Sequence, residues 1–189
     1  MGSWTALISS ALIGTLVLLS LMQFNQDVSA DLNLDMLEHV TYNEMAETVD
    51  ILKFDLNRIG LGINDPSEPK ITLADSTALA FWLDIEGDGI VDSIRYVLGD
   101  LNSASATENP RDRILYRVVN SGAAESVSSG LTSLTFKYYD NLGNETSDPS
   151  LIRTVEVSLT FESTIIYDGR FARLAWQGKI SPPNLVSNW

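Results

Sequence analysis

"WTALISSALIGTLVLLSLMQF", Trp4–Phe24, runs for 21 residues without a charge and is followed at once by "NQDVSADLNLDMLEHV", residues 25–40, where acids recur and no base appears. As a helix, a segment of this length spans roughly 31 Å, close to the roughly 30 Å hydrocarbon thickness of a bilayer. It is long enough to cross a membrane. A secretory signal would carry a basic start, a shorter apolar core and a small-residue cleavage site. Here no Lys or Arg precedes Lys53, and Val28–Ala30 ("VSA") is only a loose match to such a site. With no flanking bases, the distribution of positive charge does not orient the segment. The expectation is a helix that is kept and put to use.

Reading outward from Phe24, no Pro or Gly interrupts the chain until "RIGLGINDPSEP", residues 58–69, where Gly60, Gly62 and Pro66 supply stop signals. Before them Met45, Val49, Leu52, Leu56 and Ile59 recur at helical spacing, while Glu44, Glu47, Asp50, Lys53 and Asn57 fall elsewhere on the wheel. This is an amphipathic helix with one stripe to bury. The economical reading is one continuous helix from about Ser3 to Ile59, apolar all round in front and one-sided behind.

The partner for that stripe follows. In "RTVEVSLTF", residues 153–161, Val155, Val157, Leu159 and Phe161 alternate with Thr154, Glu156, Ser158 and Thr160, the mark of a half-buried antiparallel strand. Similar runs occur at "TALAFWLDI" (77–85), "IRYVLG" (94–99), "RILYRVV" (113–119), "LTSLTFKYY" (131–139) and "RFARLAWQGKI" (170–180), separated by turn-rich stretches. About six strands are expected. The fold class is α+β: a long N-terminal helix, apolar and protruding in front, packed at its rear on an antiparallel sheet. The expected organisation is an apolar assembly or transmembrane segment over 1–26, an amphipathic helix over 27–60 and a β-domain over 61–189.

This plan resembles the type IV pilin superfamily, and more closely its larger minor members, the PilW-like and J-type pseudopilins. The residues that carry the likeness are "LKFDLNRIGLGI" (52–63), "LAFWLDIEGDGIVDSIRYVLG" (79–99), "RILYRVVNSG" (113–122) and "GLTSLTFKYYDNLGNE" (130–145), followed by "LIRTVEVSLTFES" (151–163). The resemblance implies a pilin-like fold and a subunit that rests in the inner membrane of a bacterium before an assembly machinery transfers it to a surface filament. Members of the family carry a basic leader and a glutamate as the fifth residue of the mature chain. Thr5 holds that place if Met1 is the mature start, so the contact made there in the family is not expected in the same form. Cysteines that often staple the family's C-terminal region are absent.

Physical chemistry points the same way without the name. Trp4, Leu7, Ile8, Leu12, Leu16, Leu19 and Phe24 are the expected assembly core, since an all-apolar helix is stable only in a bilayer or among its own kind. Ser9, Ser10, Gly14, Thr15 and Ser20 permit close helix approach. Asp27, Asp31, Asp35 and Glu38 form an acidic stripe at spacings of four, four and three. Residues 1–52 hold seven acids and no base, so the stripe is either a solvated neck or a surface for bases of adjacent subunits, with Arg170, Arg173 and Lys179 as candidates. The net charge of −13 argues against nucleic acid as a partner.

One motif suggests a ligand. In "DIEGDGIVD", residues 84–92, Asp84, Glu86, Asp88 and Asp92 with Gly89 resemble the start of a calcium loop, although Arg95 stands where a bidentate Glu would close it. Calcium is therefore the one candidate cofactor. The alternative is an acidic hairpin, because Asp-Gly turns join strands without metal. The chain has no cysteine, and its single histidine, His39, reads as a surface or interface residue. Asn144 opens an N-x-[ST] triplet in a loop. No catalytic residue is expected. The function expected is a structural subunit of an extracellular, cell-surface filament. The alternatives are a low-copy minor pseudopilin of a pilus or secretion machine and a membrane-anchored extracytoplasmic binding module or adhesin.

Overall fold

The structure, a computed structural model, describes residues 2–63, 65 and 68–186. Met1 and the expected stop signal Pro66 lie outside them. The chain divides into two compact units, Met1–Leu37 and Glu38–Trp189. Helix α1 runs Gly2–Asn57, so the uninterrupted stretch read from the sequence is one helical element. Seven strands follow: β1 (Ile71–Ala74), β2 (Ala78–Leu83), β3 (Asp92–Leu98), β4 (Arg113–Val119), β5 (Glu125–Tyr139), β6 (Thr154–Glu162) and β7 (Arg173–Ile180). A short helix α2 (Pro183–Val186) comes last.

Each strand pairs antiparallel with its successor, so sheet order is chain order. Consecutive pairing needs only short connections, which the turn-rich stretches supply. The seven strands include one that the alternation did not reveal. β1 has four residues, too few for a periodic signal, and it is held by pairing with β2, Ile71 opposite Phe81. β5 also begins earlier than expected, at Glu125. Its first part, "ESVSSG", is polar, and register shifts where it pairs with β4 and β6 break the pattern.

Within the second unit, Met45, Val49, Leu52, Leu56 and Ile59 are buried in one core with Leu79, Phe81, Ile94, Leu115, Leu134, Val155, Val157 and Phe161. The stripe read at helical spacing is thus the surface that the sheet covers, and fully burying each such side chain contributes about 1.5–3 kcal/mol. The chain leaves the helix through Gly60 and Gly62, both at φ +76°. There the Gly60 amide donates to the Trp82 carbonyl and the Asp84 amide to that of Leu61. A Cβ on Gly62 would lie 2.5 Å from that of Asp84, so only glycine fits between the helix end and β2.

Alternation on β6 holds for the apolar residues, with Val155, Val157, Leu159 and Phe161 all buried. Its polar face is less open than the sequence implies. Glu156 is only 7% exposed, because Gln177 Nε2 donates to it at 2.8 Å, Tyr139 Oη at 3.2 Å, and Lys179 Nζ approaches to 3.3 Å. Burial alone would raise its carboxyl, but those three partners together hold it below the usual range.

Candidate functional site

Between Trp4 and Phe24, twelve large apolar side chains are 54–74% exposed, among them all seven of the expected assembly core. Taken at about 60% exposure each, their removal from water would contribute on the order of 15 kcal/mol. Two of the hydroxyls on the segment do not oppose this. Ser10 Oγ donates to the Leu7 carbonyl at 2.9 Å and Thr15 Oγ1 to that of Ala11 at 2.8 Å. Hydroxyls satisfied by their own helix enter apolar surroundings at little cost. The helix is long and apolar enough to cross a membrane.

Asp27, Asp31, Asp35 and Glu38 are exposed, as is His39. Of the three bases suggested for the stripe, two have acids of their own sheet. Arg173 Nε lies 3.9 Å from Glu162, and Lys179 meets Glu156 while its ammonium stands 4.1 Å above the Tyr139 ring. Arg170 is exposed in the β6–β7 connection, with no ion pair among the described residues. Reversing Asp31 and Asp35 to lysine tests an intersubunit role: if the stripe meets bases of a neighbouring copy, assembly should weaken most at low salt, where repulsion is least screened. An unchanged yield and salt tolerance would leave the stripe as a solvated neck.

The Asp84–Asp92 loop turns its carboxylates on itself. Asp84 Oδ1 accepts from the Gly87 amide at 2.6 Å, and its Oδ2 from that of Gly89 at 2.9 Å. Asp88 Oδ1 takes the Ile90 amide, Asp92 Oδ2 that of Ile85, and Asp92 Oδ1 the Asn120 side chain. Arg58 Nη2 caps the Ile85 carbonyl at 2.7 Å. The Gly89 amide first, with those of Gly87 and Asp88, holds the Asp84 carboxyl below the usual carboxylate range. Among the described residues no group of three or more metal-type side chains converges. The arrangement is that of a self-satisfied acidic hairpin. Asp84→Ala should therefore lower the melting temperature at neutral pH and lose its effect in acid, as wild type protonates, whereas Glu86→Ala should be silent. Calcium titration calorimetry tests the cation reading: heat abolished by either variant would support it.

Asn144 is exposed in the β5–β6 loop, where its side chain donates to Asp140 Oδ2 at 3.1 Å.

Sequence reasoning passed over a buried ionic cluster. Asp55, on α1 between Leu52 and Leu56, is 2% exposed, and its Oδ2 accepts from Tyr96 Oη of β3 and Arg117 Nε of β4, both at 2.7 Å. Burial, with the Asp55 carboxylate beside it, pushes the Tyr96 hydroxyl far above its usual range, so it stays a donor. An acid within an apolar stripe was the available signal. The cluster opens onto a groove of about 600 Å³ lined by Glu47, Asp50, Phe54 and Val127. Two charges satisfied by each other and by a tyrosine tie α1 to β3 and β4.

Compared with protein-family models and with curated proteins, the chain matches none.

Proposed function

We propose that this chain is a pilin-like structural subunit of a filament on a bacterial cell surface, held in the inner membrane before assembly and polymerised through its apolar helix. The observation that carries the reading is the exposed apolar surface from Trp4 to Phe24 on the same chain as a fully formed sheet core. Such a surface calls for cover, and a second copy supplies identical apolar helices without limit. A heterologous contact whose rotation does not close into a ring propagates as an open helical polymer. Small residues along the segment, Gly14 with nothing within 4 Å of a Cβ among them, leave room for close approach.

A second reading rests on the length and hydropathy of the same helix, which meet the requirement for a single membrane crossing. On it, the sheet is displayed outside the cell as a binding module. A third keeps the filament fold but places one copy in a pilus or secretion machine.

Electron microscopy of material sheared from cells, with mass spectrometry of the sheared fraction, tests the proposal. Filaments composed mainly of this chain and containing peptides from Trp4–Phe24 are the expected result. Recovery only from detergent-extracted membranes would replace it with the anchored module. About one copy per machine would replace it with the minor subunit.

A further inference from the structure

Around the start of β4, Asp112 comes within electrostatic reach of two acids from distant parts of the chain, Glu44 and Glu162. Glu44 belongs to α1, Asp112 immediately precedes β4 and Glu162 ends β6. Their surroundings differ sharply. Glu162, 3% exposed, accepts from Asn109 Nδ2 at 2.9 Å and from Arg111 Nη2 at 2.7 Å, with Arg173 Nε at 3.9 Å. Glu44 is half-buried, and Ser129 Oγ reaches its Oε1 at 3.5 Å. Asp112 is 1% exposed, and neither of its carboxylate oxygens has a hydrogen-bond partner.

An ionised carboxylate enclosed without a partner is among the costliest arrangements in a folded protein. Two of the groups that bear on it make closer contacts elsewhere, and the Nε of Arg113, the next residue, is likewise buried without a hydrogen-bond partner. Arg111 is taken by Glu162, and the Thr107 hydroxyl donates to the carbonyls of Ala104 and Asn109 at 3.0 and 3.3 Å. The backbone brings the acids close: a Cβ on Gly130, at φ +75°, would lie 2.8 Å from the Glu162 carbonyl oxygen and 3.2 Å from Glu44 Oε2. A bound proton would remove the charge that burial penalises at Asp112.

We propose that Asp112 is a buried proton-binding site, a carboxyl kept neutral within reach of Glu44 and Glu162, which makes the junction of α1 with the sheet tighter in mild acid than at neutral pH. The inference is independent of the filament reading.

The influences on Asp112 divide evenly in sign, and burial, the largest, decides the direction. Burial raises its carboxyl first, Thr107 lowers it, Glu162 raises it and Arg111 lowers it, and the net direction is up. Glu44 is raised as well, by burial first and then by Asp112 and Glu47 against the Ser129 hydrogen bond. An acid with a raised folded-state value binds its proton more tightly in the native chain than in the unfolded one. Its stabilisation is complete below the ordinary carboxylate range and is lost as pH rises through the folded value. Asp84, Asp140 and Asp148, all held low by local hydrogen bonds, work in the opposite sense, so the effect is read as a difference between two chains.

The full chain in detergent micelles is melted from pH 4 to pH 8 beside Asp112→Asn, which mimics the neutral carboxyl. The two should coincide near pH 4, with the variant melting higher near pH 7.5 by about 3 °C or more. Carbon-13 NMR of wild-type aspartate carboxyls is the companion measurement, so a variant that does not fold leaves the test intact. Asp112 should titrate above the ordinary value of about 3.9. Titration at or below that value would overturn the proposal. So would a variant less stable than wild type at neutral pH, with the gap widened by added calcium chloride, since that result makes Asp112 an ionised ligand.

Discussion

Replacing Asp55 with alanine is expected to destabilise the sheet-bearing unit by about 3–5 kcal/mol, the usual cost of removing one partner from a buried charge pair. The carboxylate is 2% exposed and serves two donors from different strands. Its loss leaves the Arg117 guanidinium, only 20% exposed, with an unpaired charge and the Tyr96 hydroxyl with no acceptor inside the core. Asn at the same position keeps one acceptor and should cost less. Arg117→Ala should be damaging for the converse reason, because Asp55 would then be a buried anion supported by a single phenol. A double-mutant cycle in denaturant, followed by near-ultraviolet circular dichroism of the full chain in detergent, measures the coupling. Strict additivity of the two substitutions would show that the pair contributes nothing as a pair.

If the chain polymerises as proposed, a charge at the middle of the apolar segment is expected to remove the polymer while leaving the sheet unit intact. Leu12 is 61% exposed and has no place in the core, so Leu12→Asp should not move the melting transition of the sheet. An aspartate in apolar surroundings at mid-helix costs about 3 kcal/mol. At about 1.4 kcal/mol per factor of ten, the yield of sheared polymer should fall roughly a hundredfold. Leu12→Ala, which removes area but adds no charge, should fall far less. Full polymer yield from Leu12→Asp would mean that this helix is not the assembly core, whatever the rest of the fold resembles.

Asp55 shows how close the sequence came to its own core. The stripe of Met45, Val49, Leu52, Leu56 and Ile59 was legible because helical spacing repeats it, and the sheet covers it. Asp55 interrupts the same face, but its meaning depends on Arg117, 62 residues further on, and spacing carries no record of that pairing. β1 was missed for a related reason: four residues declare no period, and the strand exists because β2 offers an edge to pair with. The acidic loop at Asp84 was visible as a pattern of oxygens. Which way those oxygens face was settled by the local backbone, whose amides reach them first.

By itself the sequence determined the succession of a long helix by antiparallel strands, the approximate extent of that helix, the uncharged front segment and the alternation of β6. These are local properties, set by the periods of backbone geometry and by residue polarity, and they need no knowledge of neighbours. Only the tertiary structure decided which acids are enclosed. Asp31 and Asp35 are exposed on the single chain, whereas Asp55, Asp112, Glu156 and Glu162 are buried, each in a different setting of partners. The cost of burying a charge is fixed by what surrounds it, and those surroundings are assembled from strands remote in the chain.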